Sequence, residues 1–310
     1  MGSRQKNTVR VYSYGYQRWT RWAKQFAEID VLPAQPKHIV LYLISLSETA
    51  SSASPIITAV QSLAWAHKLS GLPDPTIDTL VTTIKDSLCR SLGKSGHNTK
   101  QPLQVEALSR LVKKYGKYGS LLCDLRLISL CLLAFSAFLR YDEVSRVCRS
   151  DLHFHDEYLA LFVQKSKTDK YKVGSWIVIS RLNSPNCPVR MLERYLACSG
   201  ISPDSNEYIF RSLFSARTRR AGYVLRRENK PISYGLAREI ILKAFQSIGL
   251  SKKHFGTHSL RKGGATAANL GKISDRLILK HGRWVSEKSK NIYISENLQE
   301  RLSVSRNLGL

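Results

Sequence analysis

The hydrophobic periodicity of the chain changes at Tyr158-Leu159-Ala160-Leu161-Phe162-Val163 and again at Ser175-Trp176-Ile177-Val178-Ile179. Both stretches are rich in β-branched and aromatic residues, which is the composition typical of strands. The segment between them carries several lysines, from Lys165 to Lys172. These features predict a β-hairpin with a lysine-rich turn, set in a mainly α-helical fold that has one small antiparallel β-sheet.

Helical patterns flank this hairpin on both sides. Before it, helices are predicted near Val105–Tyr115 and Leu121–Leu139, and the apolar end of the second helix is too short to span a bilayer. After it, the periodicity predicts helices over Pro188–Cys198, Tyr234–Ile248, His258–Leu270 and Ser274–Lys280, with a last pair around Tyr293 and Leu298–Val304. Residues 103–310 are therefore predicted to form one α+β domain.

The first segment of the chain has only helical patterns. An aromatic stripe on one helix face is predicted to pack in a core; it consists of Tyr12, Tyr16, Trp19, Trp22 and Phe26. Three more helices are predicted from Pro36 to Leu46, from an N-cap at Ser54 to a stop at Gly71, and over Thr76–Arg90. Residues 1–93 thus form a helical bundle, and the polar, glycine-bearing residues 94–102 form a linker.

The charge balance points to a polyanionic partner. Lys and Arg total 48 and Asp and Glu total 23, which gives a formal net charge of +25. Such an excess is expected of a protein that neutralises many phosphates at once, so nucleic acid is the simplest partner. Six cysteines are scattered without a Cys-x-x-Cys pair, and no secretory signal is visible at the start. The expected compartment is intracellular and reducing, with no membrane segment.

Four features carry residues suited to chemistry on a phosphodiester. Arg140 ends the apolar helix with Glu143 three residues on, and the hairpin turn offers Lys165 and Lys167. His258 and Arg261 lie three apart on one helix face, after a predicted N-cap at Thr257. Trp284 is followed nine residues later by Tyr293. Each feature alone is common by chance, so the interpretation depends on their order and separation.

That ordered set, Arg, Lys, His-x-x-Arg, Trp and Tyr, resembles the tyrosine recombinase (phage-integrase) family. The similarity covers residues 103–310, and the helical first segment resembles the family's SAM-like core-binding domain, a DNA-binding domain. Within the family, recombinases of eukaryotic mobile elements of the DIRS/Ngaro or Crypton type are the most similar. The motifs that carry this finer resemblance are Gly263-Gly264-Ala265-Thr266, His281-Gly282-Arg283-Trp284 and Arg301-Leu302-Ser303-Val304-Ser305. It implies a nuclear protein.

The resemblance assigns a role to each of these residue types. Tyr293 is the expected nucleophile, giving a 3′-phosphotyrosyl intermediate without metal, ATP or another cofactor. Arg140, Arg261 and His258 are expected to stabilise charge on the phosphate oxygens, with Trp284 as a further donor through its ring N–H. Lys167 is the expected general acid for the leaving 5′-oxygen, and Lys165 is the alternative. Glu143 is expected to orient or pack against the first arginine.

The resemblance also implies the partners. Double-stranded DNA is the expected substrate, with backbone contacts from Lys165, Arg217, Arg219 and Arg220. The residues after Tyr293 pack on their own domain or dock on a neighbouring subunit, as in a homotetramer on two DNA sites. The expected function is site-specific DNA cleavage and rejoining, for integration or excision of a mobile element. The alternatives are a type IB topoisomerase-like DNA-relaxing enzyme and a domesticated, non-catalytic DNA-binding protein.

Overall fold

A computed structural model of the chain describes residues 6–93, 100–164, 173–216, 222–295 and 298–307. The chain divides into two compact units, residues 1–97 and 98–310, and each unit has its own apolar core. The end of the stretch predicted as a linker belongs to the second unit, because the Gln101 N–H donates to the His254 carbonyl at 2.8 Å. Within the described residues, no helix combines the length and apolar character needed to cross a membrane.

The first unit contains the helices α1 (Lys6–Ala23), α2 (Pro36–Thr49), α3 (Ser54–Leu69) and α4 (Thr79–Ser91). Its core forms around Trp19, which is fully buried and packs edge-on against Tyr42 with 5.3 Å between the ring centroids. The predicted aromatic stripe is therefore a packing face for most of its length. Phe26 is the exception, because it lies beyond the end of α1 and is exposed.

Two helix starts in this unit differ from the prediction because other residues cap them. Ser54 is the first residue of α3 rather than its N-cap, and Ala53 precedes the helix with no side-chain cap. The helix predicted from Thr76 is split into a 3-10 turn (Pro75–Ile77) and α4. The split occurs at Asp78, whose carboxylate accepts from the Leu80 N–H at 2.8 Å and so starts a new helix.

The second unit is mainly helical, with two small antiparallel sheets. Its elements are, in order, α5 (Val105–Tyr115), α6 (Leu122–Ser136), α7 (Tyr141–Val144), β1 (Leu152–Phe154), β2 (Tyr158–Val163), β3 (Ser175–Ser180), α8 (Pro188–Ser199), β4 (Leu213–Ser215), β5 (Tyr223–Leu225), α9 (Tyr234–Gln246), α10 (His258–Leu270), α11 (Asp275–Gly282), α12 (Glu287–Asn291) and α13 (Leu298–Arg306). The mainly helical fold with a small antiparallel sheet is thus confirmed.

The predicted hairpin is the β2–β3 pair, in register from Tyr158 opposite Ser180 to Val163 opposite Ser175. β1 adds to it in the order β1-β2-β3. The prediction of a turn around His153 was wrong, because His153 lies in β1 and pairs with Ala160. The β4–β5 hairpin was not predicted at all.

Helix α6 is the centre of this unit and packs against α5, α8 and α10. Two glycines of α10 allow that helix to approach closely. A Cβ at Gly264 would lie 2.1 Å from the Phe135 carbonyl, and a Cβ at Gly263 would lie 2.1 Å from the Leu103 carbonyl. Because nothing larger than hydrogen fits there, the start of α10 lies beside the end of α6.

Candidate active site

The apolar helix α6 ends earlier than its pattern predicts, and the chain reverses there. Phe138 has a left-handed backbone conformation, with φ of 48°, and Arg140 then becomes the N-cap of the short helix α7. Glu143 closes this turn, because its carboxylate accepts from both the Arg140 N–H and the Arg140 guanidinium, each at 2.8 Å. The first arginine is therefore oriented by a carboxylate three residues away.

The Glu143 carboxylate is shared by three guanidinium groups. Besides Arg140, it contacts Arg283 at 2.9 Å and Arg261 at 3.4 Å, and its side chain is buried. Burial alone would raise the pKa of Glu143, but Arg283, the Arg140 N–H and the charges of Arg261 and Arg140 outweigh it and hold the pKa below its ordinary value. One carboxylate charge thus balances a cluster of cations.

Arg261 lies at the centre of the site and is only 1% exposed. Its guanidinium donates to the Phe138 carbonyl, and to the Gly282 carbonyl at 2.9 Å. The same group lies over two rings, 4.7 Å from the centroid of Trp284 and 4.8 Å from that of Tyr293. Burial, then the Arg140 charge, lowers the pKa of Arg261, but an arginine starts so far above neutrality that it remains a cation.

His258 is the first residue of α10, and its side chain is open to solvent. Partial desolvation, then the charges of Arg261 and Arg140, lowers the pKa of His258 below its ordinary value. The imidazole is therefore mainly neutral at pH 7 and can donate from one ring nitrogen. The predicted N-cap bond from Thr257 is absent, because Thr257 already has helical backbone angles and its side chain makes no cap hydrogen bond.

Trp284 is buried after α11, where its ring packs directly on Gly282. A Cβ at residue 282 would lie 1.9 Å from the Trp284 ring. The Trp284 indole Nε1 has no hydrogen-bond acceptor among the described residues. It is therefore a buried donor available to a group that enters the site.

Tyr293 follows α12 and contacts Trp284 with 5.3 Å between the ring centroids. Its backbone carbonyl accepts from the Thr266 hydroxyl of α10 at 3.3 Å, which ties the segment to that helix. Tyr293 and His258 both line one cleft of about 380 Å³. Three cationic side chains line the same cleft: Lys100, Arg238 and Lys262. Such a cleft attracts an anion such as a DNA phosphate.

The match to known proteins covers the part of the chain that forms this site. The model of the Phage integrase family matches residues 101–300. The chain belongs to the phage integrase family. As a tyrosine recombinase, it is an enzyme that cleaves and rejoins DNA at specific sites. The match does not favour the two alternatives, a type IB topoisomerase-like enzyme and a non-catalytic DNA-binding protein.

Individual relatives of this tyrosine recombinase agree with the family model. An integrase/recombinase xerD homolog of Selenomonas ruminantium is 28% identical over 297 residues, which is 95% of this chain and 83% of that protein. The XerH recombinase bound to a palindromic difH substrate, in a post-cleavage complex, has a TM-score of 0.69 at 14% identity over 97% of this chain and 79% of its own. A lambda integrase tetramer bound to a Holliday junction has a TM-score of 0.61 at 17% identity, over 95% and 73%.

The structure of this recombinase brings together five of the six residues predicted to be catalytic: Arg140, His258, Arg261, Trp284 and Tyr293. The sixth, Lys167, lies outside the described residues, as do the predicted DNA contacts Lys165, Arg217, Arg219 and Arg220. Among the residues that are described, no three His, Cys, Asp or Glu side chains are grouped to hold a metal ion.

One residue of the cluster, Arg283, was missed as a site residue. Its guanidinium donates to the Ala137 and Phe138 carbonyls, each at 3.2 Å, as well as to Glu143. The motif that contains it was noted, but an arginine beside Trp284 has no sequence feature that distinguishes a buried position from a solvated one. Its left-handed backbone, with φ of 56°, directs the chain from α11 to Trp284.

Proposed function

We propose that Tyr293 is the nucleophile of this recombinase and that it attacks a DNA phosphate held by Arg261 and Arg140. The observation that carries the proposal is the position of the Arg261 guanidinium, 4.8 Å from the centroid of the Tyr293 ring. A phosphate bound to this guanidinium lies within reach of the phenol. The phenol oxygen would bond to phosphorus as the 5′-oxygen leaves, giving a 3′-phosphotyrosyl link.

The remaining groups of the cluster suit the charge that develops in this reaction. A phosphodiester under attack gains charge on its non-bridging oxygens, and preorganised donors around those oxygens lower the barrier. Arg140 and Arg261 supply fixed guanidinium forks, His258 a neutral imidazole, and Trp284 an indole N–H with no acceptor among the described residues. Glu143 keeps the two guanidinium groups in place without entering the reaction.

Lys167 is proposed as the general acid that protonates the leaving 5′-oxygen, with Lys165 as the alternative. The test replaces that oxygen with sulfur, a leaving group that needs no proton. Cleavage by Lys167→Ala should then recover to the rate of the unmutated enzyme. Recovery of Lys165→Ala instead would assign the role to Lys165.

The decisive experiment for the proposed function traps the covalent intermediate. A duplex nicked close to the cleavage site releases a short fragment after attack, so the protein–DNA adduct accumulates and can be measured on a denaturing gel. The unmutated chain should form the adduct and Tyr293→Phe should form none while retaining its DNA affinity. Adduct formation by Tyr293→Phe would assign the nucleophile to another residue.

We further propose that the enzyme integrates or excises a eukaryotic mobile element of the DIRS/Ngaro or Crypton type and acts in the nucleus. The support is the pair of motifs at residues 263–266 and 281–284, both of which contact the site. Such an element should carry short inverted or split direct repeats beside the gene, and the enzyme should recombine a plasmid that contains them. A tagged chain confined to the cytoplasm would contradict the nuclear assignment.

A tetramer on two DNA sites is proposed as the active assembly. The support is an exposed apolar groove of about 430 Å³ between β3 and α11, whose exposed members are Trp176, Val178, Ile273 and Leu277. Its proposed occupant is α13 from a second copy, with Leu298 and Leu302 four residues apart. Deleting residues 297–310 should abolish assembly and strand exchange while single-site cleavage continues. Unchanged assembly of the deleted chain would exclude this contact.

A further inference from the structure

A buried ion pair, separate from the arginine cluster, holds the segment that carries Tyr293. Helix α12 has only five residues, too few for a helix to be stable without tertiary contacts. Lys290 of this helix is 3% exposed, and its ammonium group bonds to the carboxylate of Asp275 at the start of α11. Lysine is almost never buried unless it is paired. The pair therefore attaches α12 to α11.

The main chain of Lys290 is bonded directly to Tyr293. The Lys290 carbonyl accepts from the Tyr293 N–H at 2.8 Å, and the Lys290 N–H donates to the Ser286 carbonyl at 3.2 Å. Lys290 thus joins α11 through its side chain and Tyr293 through its backbone. A shift of Lys290 would move the tyrosine with it.

The opposite end of α11 is attached to Arg261. The carbonyl of Gly282, the last residue of that helix, accepts from the Arg261 guanidinium at 2.9 Å. Helix α11 runs from Asp275 to Gly282, so it is linked to the nucleophile segment at its first residue and to the central arginine at its last. It sets the spacing between the tyrosine and the phosphate-binding group.

We propose that Asp275 and Lys290 are positioning residues for DNA cleavage, which hold the Tyr293 hydroxyl in line with the phosphate bound by Arg261. The inference rests on the proposed role of Tyr293 as nucleophile. Neither side chain touches the reacting atoms. Their contribution is to keep the attacking group within reach, a geometric effect that acts on the rate of the chemical step and not on the binding of DNA.

The test measures single-turnover adduct formation by the full chain on the nicked duplex at saturating enzyme, together with the Kd for DNA. Asp275→Asn leaves the Lys290 ammonium without its carboxylate and should slow adduct formation by about 10- to 100-fold, with the Kd unchanged. Asp275→Glu restores the charge and should recover most of the rate. Lys288→Met is the matched control, because Lys288 is exposed on the same short helix.

A double-mutant cycle separates positioning from a general structural role. If the pair acts as one unit, the combined Asp275→Asn and Lys290→Met variant should be no slower than the slower single variant. Thermal unfolding of each variant checks the fold, and Lys290→Met, which leaves no buried charge, replaces Asp275→Asn if the latter is unfolded. Rates that stay normal, losses that add, or losses that appear equally in the Kd would overturn the inference.

The outcome for Tyr293 remains distinguishable from the outcome for the pair. Adduct formation by Tyr293→Phe would remove the proposed nucleophile, whatever the pair does. An adduct absent from Tyr293→Phe but formed at the normal rate by both Asp275→Asn and Lys290→Met would leave the proposed function intact and remove only the positioning role.

Discussion

Glu143 is the residue on which the electrostatic balance of the site depends. Its carboxylate is the shared counterion of Arg140, Arg261 and Arg283, and its side chain is only 3% exposed. Replacing it with glutamine would leave three guanidinium groups, two of them buried, without that counterion, which should destabilise the second unit by roughly 3 kcal/mol. Urea unfolding of Glu143→Gln, with Glu239→Gln on the exposed face of α9 as the control, measures this loss. A difference near zero would mean that other contacts balance the cluster.

The same residue gives stability a defined pH dependence. The pKa of Glu143 is lowered in the folded chain from an ordinary value of 4.5, so the folded state binds fewer protons than the unfolded state. Its stabilising contribution is therefore complete above pH 4.5 and is lost as the pH falls through the lower folded pKa. Melting temperatures of the unmutated chain should fall in that acidic range. Glu143→Gln should show a smaller decrease over the same range.

Arg261 depends on the shape of its side chain as well as on its charge. Its guanidinium donates to two carbonyls and covers two rings at once, which the single ammonium group of a lysine cannot do. Arg261→Lys should therefore lower the rate of adduct formation by about 100- to 1,000-fold. Arg110→Lys is the control, since Arg110 is exposed and donates to the Ile248 carbonyl. Equal rates for Arg261→Lys and the unmutated chain would show that charge alone suffices.

At the scale of elements, the approach of α10 to α6 determines whether the two catalytic arginines meet. A Cβ at Gly264 would lie 2.1 Å from the Phe135 carbonyl, so Gly264→Ala should force the helices apart and cost about 1–3 kcal/mol or more. Gly271→Ala, at the end of the same helix, meets its neighbours at an ordinary 3.4 Å and should change stability by less than about 0.5 kcal/mol. Chemical unfolding with a cleavage assay compares the two variants. Equal stability would contradict the close-packing argument.

The elements predicted well from the sequence are those that local periodicity determines. Helices α5 and α10 have the predicted bounds, and β2 pairs with β3 as expected. The missed strands β1, β4 and β5 have three residues each, too few for an alternating pattern to be recognised. The end of α6 was placed too late because the apolar pattern continues through the left-handed turn at Phe138.

The same distinction applies to the site. Arg140, His258, Arg261, Trp284 and Tyr293 could be chosen because their order along the chain resembles a family pattern. The burial of Arg283 and the pairing of Lys290 with Asp275 depend on contacts made only after folding, and nothing in the local sequence indicates them. Sequence therefore identified the groups proposed to react with DNA better than the groups that hold them.

At the scale of the whole molecule, the net charge of +25 should dominate the affinity for DNA. Each phosphate contacted by a Lys or Arg releases a counterion, so the Kd should weaken on the order of 1,000-fold between about 50 and 200 mM salt if several phosphates are contacted. Fluorescence anisotropy with a labelled duplex measures this slope. Arg238 lines the cleft beside Tyr293, so Arg238→Ala should reduce the slope by about one ion. A Kd independent of salt would mean that phosphate contacts do not drive binding, and that the excess charge serves another partner.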